Sequence, residues 1–233
     1  MSDPVTYTLE GPVATIALDD GKVNVQSIAT LNELHAAFDQ AERDGAVVLL
    51  TGREGCFSAG FDLKVFRDQP ERLGEMLTLG ATLYERMLGF PTPVLASCTG
   101  HALAAGAFVL LAADTRIAAD GPFQLGLTEV KIGLTMPWFA VELARYRLSP
   151  AHVDQAVICS ASYTPAQAVA AGFVDRVVPA GELAEASAAA AQELAALNME
   201  AHAATKLRLR GDALAAIRAG IERELTPGTG QGS

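Results

Sequence analysis

Apolar and polar positions alternate at the start of the chain. The runs Val5–Thr8 and Val13–Leu18 flank Glu10-Gly11-Pro12, which predicts an antiparallel hairpin. The period then lengthens. Ser27 can cap a helix whose apolar positions Ile28, Leu31, Leu34 and Phe38 follow 3.6-residue spacing, with Asp44-Gly45 as its stop before the continuous run Val47–Leu50. A continuous apolar run of that length reads as a strand buried on both faces. The same sequence of elements recurs: a helix over about 70–88, a break at Pro91 and Pro93, and a strand over Val94–Ser97. Gly106–Ala113 is apolar all round and predicts a wholly buried helix. Thr115–Ala119 predicts another strand, and Phe123–Leu125 a short β-like piece. After Pro137 the pattern is helical: Trp138–Tyr146, a helix opened by Ser149-Pro150, and another opened by Thr164-Pro165 and closed at Gly172. A strand over Val174–Val178 follows. From Glu182 to Leu225 the periodicity is helical, and Pro227–Ser233 is expected to be a frayed polar tail. Strands alternating with helices give an α/β class with repeated crossovers and a C-terminal helical annex.

Composition narrows the function. Half of the 233 residues are hydrophobic and 19% are charged, enough apolar side chain to bury a core. The 17 basic and 27 acidic residues give a formal net charge of −10, with no run rich in Lys or Arg. That balance argues against a nucleic-acid partner, which demands clustered positive charge. It does not argue against a small phosphate ligand held by backbone amides and a few local cations. Cys56, Cys98 and Cys159 are odd in number and widely spaced, so reduced buried thiols are expected rather than disulfides or a zinc site. The four histidines show no ligand spacing, and no metal is assigned. The N-terminal residues lack a signal-peptide pattern, and the longest apolar run, Ala102–Ala113, is about half a bilayer span. A cytoplasmic protein without a membrane partner is expected.

Candidate chemistry sits in two glycine-punctuated segments. Gly52-Arg-Glu-Gly-Cys-Phe-Ser-Ala-Gly-Phe-Asp-Leu-Lys64 follows one strand and Gly100-His-Ala-Leu-Ala-Ala-Gly106 follows another. At a strand-to-helix junction the first backbone N–H groups lack helical acceptors, so two adjacent junctions can direct two amides at one oxygen. Taken singly, glycines after strands are also the ordinary punctuation of α/β folds. Neither segment is a Walker A loop, and Ser58 does not lie in a nucleophile elbow.

Over nearly its whole length the chain resembles the crotonase, or enoyl-CoA hydratase/isomerase, superfamily. Cys56–Lys64 is similar to the F-S/C-A-G-x-D-L motif, and Gly100–Phe108 with Asp114 and Arg116-Ile117-Ala118 is similar to the G-x-A-x-G-G-G-x-E…CD-x-R-I-A segment. The resemblance implies a crotonase-like (ββα) spiral core over residues 1–180 and a C-terminal helical trimerisation region over 181–233. It makes the amides of Phe61 and Ala105 an oxyanion hole. It places the coenzyme A nucleotide near Lys22, Val23, Ala59, Asp62 and Leu63, with Lys64 and Arg67 as further local cations. Coenzyme A enters as part of the substrate, so no separate cofactor is implied. Glu129, in Phe123–Gly133, falls on the family's second catalytic glutamate.

The departures from the pattern are informative. Phe108 stands where hydratases carry their first glutamate, and Ala105 where the donor is usually glycine. Hydration needs a held, activated water and a proton for C2, a task the family divides between two glutamates, whereas moving a double bond from C3 to C2 needs one base. Phe108 beside Glu129 would also exclude water and disfavour the charged carboxylate. Gly126-Leu127-Thr128-Glu129 and Met136–Phe139 resemble the corresponding region of Δ3-Δ2-enoyl-CoA isomerases. The expected activity is therefore 3-enoyl-CoA isomerisation in fatty acid β-oxidation. Two alternatives stand beside it: an inefficient hydratase drawing a carboxylate from Glu75 or Glu85, and a non-catalytic acyl-CoA binder. Phe108 is expected in the core or lining the acyl pocket, and Trp138 and Phe139 in the core or the pocket wall, Trp138 being counted with the substrate-binding residues. Thr205-Lys206 resembles the terminal-helix motif that packs on a neighbouring subunit and approaches its coenzyme A. The implied assembly is a homotrimer or a dimer of trimers.

Overall fold

The opening hairpin forms as its alternation predicts. Strands β1 (Val5–Glu10) and β2 (Val13–Leu18) pair antiparallel, with Val5 opposite Leu18 and Glu10 opposite Val13. The computed structural model describes residues 3–225, so the tail expected from Pro227 lies outside the described residues. A two-residue strand, β3 (Val25–Gln26), leads into helix α1 (Ile28–Asp44). The Ser27 hydroxyl accepts the Thr30 amide at 3.1 Å, and Gly45 closes the helix at φ 62°. Strand β4 (Val47–Thr51) then enters the sheet parallel to β2.

From there each long strand feeds a short one in a second sheet. β4 is followed by β5 (Gly55–Ser58) and β6 (Gly60–Phe61), β7 (Val94–Cys98) by β8 (Gly100–Leu103), and β9 (Thr115–Ala119) by β10 (Leu125–Gly126). With β11 (Ser162–Tyr163) and β12 (Arg176–Val178), the strands assemble as a six-stranded sheet in the order β1-β2-β4-β7-β9-β12, a four-stranded sheet β11-β10-β8-β5, and the parallel pair β3-β6. This repeated turn from one sheet to the other is the expected spiral core. Its strands hold the two glycine-punctuated segments next to each other, since β5 and β8 pair directly.

Helices fill both faces of the large sheet. Helix α3 (Leu73–Gly89) and helix α4 (Ala105–Ala112) pack with α1 on one side, and all eight residues of α4 are buried. On the other side α8 (Leu183–Ala195) covers β4, β7 and β9, where Leu183 joins Leu95, Ile117 and Ala119. Helix α9 (Met199–Leu225) returns across α3 and α5 (Trp138–Arg147).

Several local expectations are corrected. The helix expected over 70–88 starts at Leu73, after a 3-10 turn at Pro70–Arg72, and a short helix, α2 (Leu63–Asp68), precedes that turn. Ser149-Pro150 forms a turn, closed by the His152 amide on the Ser149 carbonyl at 2.8 Å, and α6 starts only at Val153 (Val153–Val157). Strand β12 begins at Arg176, two residues later than expected, and Val174 packs in the core ahead of it. The helix expected from Glu182 to Leu225 is two helices, divided where the Asn198 side chain caps the second by accepting the Ala201 amide at 2.9 Å. Helix α7 (Pro165–Ala171) forms as expected, with a Thr164–Gln167 capping box and Gly172 at φ 91°. All three cysteines are free, but only Cys98 is buried; Cys159 is exposed. No helix of the described residues is long and apolar enough to cross a membrane.

Candidate active site

The two glycine-punctuated segments meet at Gly60. This residue has φ 94°, and a Cβ placed there would stand 2.9 Å from the Ala105 nitrogen and 3.0 Å from the Ala104 methyl. Only glycine meets both demands. One residue beyond Ala105, Gly106 lets α4 approach the same loop, since a Cβ would come within 2.2 Å of the Ser58 carbonyl oxygen. Ala105 is the first residue of α4, so its amide has no acceptor within the helix. Ala104, which precedes it, is held at φ 50°, ψ −127°, a conformation that costs a residue with a Cβ roughly 1–3 kcal/mol. Phe61 lies beside this junction on β6, paired with Gln26 of β3.

A cavity of about 240 Å³ opens against this junction. Ala59, Phe61, Leu103 and Ala104 form one wall, and Phe108 and Glu129 line the same space. Glu129 follows β10 and is fixed by its backbone, whose carbonyl accepts the Leu134 amide at 2.9 Å. Its side chain is the chemical anomaly of the site. It is 6% exposed, its Oε2 is buried with no hydrogen-bond partner among the described residues, and burial pushes its pKa up to about 7. Phe108, three residues into α4 from Ala105, packs edge-on against Tyr84 and Phe139, with ring centroids 5.7 and 6.0 Å away. An apolar ring thus lines the cavity with Glu129, whose raised pKa leaves it partly protonated near neutral pH.

The remaining expected residues divide. Leu63 and Ala59 line the cavity, Leu63 being more than half exposed. The Ala59 amide is already donated to the Val23 carbonyl at 2.9 Å, so a ligand can meet only its carbonyl or methyl group. Asp62 caps α2 through its carboxylate, which accepts the Lys64 amide at 2.9 Å. Lys22, Val23 and Lys64 are exposed and do not line the cavity, and Arg67 is paired with Asp68.

Two expectations are corrected. Trp138 is outside the cavity: its ring is turned to the surface, with the Arg223 guanidinium 4.0 Å from the ring centre, while its neighbour Pro137 lines the cavity. Pro137 is the extended N-cap of α5 and Trp138 its first helical residue, so the two side chains leave the backbone in different directions. Lys206 does not reach towards a ligand, because its ammonium is buried and donates to Asp114, Phe90 and Thr92 of its own chain at 2.7, 2.8 and 3.0 Å. The carboxylates offered for an alternative chemistry are also engaged elsewhere, Glu75 with Arg72 and Glu85 with Arg218.

Sequence reasoning missed three residues at the site. Glu224, near the end of α9, lines the cavity, and its Oε2 accepts the Trp138 amide at 3.0 Å. Gln26 and Tyr84 are buried behind the junction and hydrogen-bonded to each other. No motif or spacing signalled any of them. Among the described residues there is no group of three or more His, Cys, Asp or Glu placed to hold a metal ion.

Comparison with known proteins places the whole chain. Residues 8–226 match the family model described as enoyl-CoA hydratase/isomerase. The chain belongs to this family. An enoyl-CoA hydratase/isomerase family protein of Pseudomonas syringae is 45% identical, with a TM-score of 0.94 over 96% of this chain and 97% of its own. An enoyl-CoA isomerase of Mycobacterium tuberculosis is 44% identical, with a TM-score of 0.91 over 96% and 98%. An enoyl-CoA hydratase of Mycobacterium marinum is 42% identical, with a TM-score of 0.90 over 94% and 97%. These names divide between the two reactions, so the choice between them within the enoyl-CoA hydratase/isomerase family falls to the site itself.

Proposed function

We propose that this member of the enoyl-CoA hydratase/isomerase family is a Δ3-Δ2-enoyl-CoA isomerase. The observation that carries the reading is Glu129, a buried carboxylate with a free oxygen in an apolar cavity where Phe108 replaces the partner that hydration needs. The thioester oxygen of a 3-enoyl-CoA accepts hydrogen bonds from the Phe61 and Ala105 amides. Glu129 removes a proton from C2, the electron pair passes into the enolate, and the amides carry the charge that develops on oxygen. Return of the same proton to C4 moves the double bond from C3–C4 to C2–C3. A carboxyl group with a pKa near 7 suits both halves of that transfer, because neither of its forms is strongly favoured at neutral pH. Coenzyme A is part of the substrate, the pathway is fatty acid β-oxidation, and the assembly is a homotrimer or a dimer of trimers; light scattering on the purified protein tests the last of these.

One observation favours hydration instead: Glu224 is a second carboxylate on the same cavity. It is exposed and engaged with the start of α5, which suits a residue closing the mouth better than one holding a water against C3. The two readings separate on purified protein. Isomerisation predicts conversion of a 3-enoyl-CoA to the conjugated thioester, loss of at least a thousandfold in kcat in Glu129→Gln, and Glu224→Gln within about threefold of wild type. Efficient water addition to crotonyl-CoA that disappears in Glu224→Gln would establish the hydratase. Saturable acyl-CoA binding with neither reaction would leave the non-catalytic binder.

A further inference from the structure

Gln26 is the buried polar side chain for which the proposed chemistry has not yet accounted. Its Nε2 donates to the Ala105 carbonyl at 3.0 Å and lies 3.5 Å from the Ser58 hydroxyl, while its Oε1 accepts the hydroxyl of Tyr84. Its backbone serves the other half of the hole. Gln26 stands opposite Phe61 in the β3-β6 pair, and its carbonyl accepts the amide of Asp62 at 3.4 Å. A single residue therefore binds the strand that carries one amide donor and the first residue of the helix that carries the other.

The strain at Ala104 gives this link its meaning. A non-glycine residue at φ 50°, ψ −127° persists only where its surroundings over-determine it, and the junction would relax if the first turn of α4 were free to shift. The Gln26 amide holds that turn by its carbonyl. Tyr84 anchors the other end of the amide. With the hydroxyl donating to Oε1, Nε2 is directed at the Ala105 carbonyl, and the flipped amide would set two acceptor oxygens against each other. Tyr84 is itself immobilised by Phe108 and Phe139, so the aromatic cluster that excludes water also orients the tether.

We propose that Gln26, oriented by Tyr84, is a positioning residue that sets the spacing of the Phe61 and Ala105 amides around the thioester oxygen. The inference rests on the two-amide hole of the proposed function. It is independent of whether isomerisation or hydration follows.

The test uses full-length protein and a chromophoric cinnamoyl-CoA whose absorption moves to the red when its thioester oxygen is polarised. Wild type is expected to give the red shift. Gln26→Leu should bind the probe within twofold of wild type, lose most of the shift, and show kcat lowered about tenfold with KM for a 3-enoyl-CoA within twofold. Tyr84→Phe, which keeps the packed ring, should lose part of the shift and about threefold in kcat. The double variant should be no worse than Gln26→Leu, because both act through one contact. A folded Gln26→Leu that keeps the full shift and kcat overturns the proposal. Should that variant not fold, an unaltered shift in Tyr84→Phe overturns it in the same way. A wild-type protein that binds the probe without any red shift would instead refute the two-amide hole.

Discussion

Glu129 carries an energetic signature that can be measured apart from catalysis. Its pKa is about 7 in the folded protein and 4.5 as an ordinary glutamate, a difference worth about 3 kcal/mol at 1.36 kcal/mol per pH unit. The cause is burial, so the cost falls on the charged form. Below pH 4.5 the carboxyl is protonated in both folded and unfolded chains and exacts nothing. Between 4.5 and 7 the unfolded chain ionises while the folded one does not, and stability falls. Above 7 both are ionised and the full penalty of about 3 kcal/mol is in place. Glu129→Gln removes a titration of this kind while keeping the shape.

The expected result is a pH-dependent difference between the two proteins. Relative to its value at pH 4, the stability of Glu129→Gln minus that of wild type should rise by about 3 kcal/mol by pH 8, most of it between pH 4.5 and 7. For a chain of this length that corresponds to roughly 10 °C in Tm. The constant offset from burying a glutamine amide at Oε2, where no partner waits, cancels because it does not titrate. Thermal unfolding followed by circular dichroism across that range measures the difference. In parallel, kcat/KM of the wild type should rise with pH through an apparent pKa near 7, since the base acts as the carboxylate. A stability difference that is flat with pH, or one that falls as pH rises, would refute the claim that Glu129 is a desolvated base.

Phe108→Glu restores the family's first carboxylate beside Glu129; water addition to crotonyl-CoA should rise relative to isomerisation, measured as the ratio of initial rates. The same change buries an acid in the Tyr84–Phe139 cluster and should cost about 3 kcal/mol in urea unfolding. Ala104→Gly removes the positive-φ strain and should raise stability by about 1 kcal/mol with kcat within twofold, read from the urea midpoint and the isomerase assay. Lys206→Met strands the Phe90 and Thr92 carbonyls and leaves Arg210 as the one cation paired with Asp114, so unfolding should be easier by about 3 kcal/mol while KM for the enoyl-CoA is unchanged.

What could be read from the sequence was what short-range physics decides. The Ser27 and Thr164 caps, the glycine stops at Gly45 and Gly172, and the apolar strands Val47–Thr51 and Val94–Cys98 are settled within a few residues of themselves. Apart from the β-like piece expected at Phe123–Leu125, which overlaps β10 at Leu125, the second sheet was not legible as strands. Its members are two to four residues long and three of the four contain glycine, so they carry no periodic signal, and β10 is held between β8 and β11. Glu129, Phe108 and Phe61 were legible because motifs fix their places. Gln26 and Tyr84 were not, and Lys206, picked out by its motif, was given the wrong partner, since each matters through contacts between residues 58 to 116 positions apart, and a local pattern cannot distinguish a tethering glutamine from a solvated one.

The return of α9 shows how that long-range order bears on chemistry. Its Lys206 and Arg210 grip Asp114 at the beginning of β9 and the carbonyls of Phe90 and Leu88 at the end of α3, which holds α9 along α3. From that anchorage its last turn arrives at the start of α5, where Glu224 meets the Trp138 amide and borders the cavity. The C-terminal helix is thus part of its own chain's active-site wall. This arrangement also explains why a second carboxylate can be tolerated there. Glu224 is exposed, where charge costs little, while Glu129 is buried, and that burial is what raises its pKa.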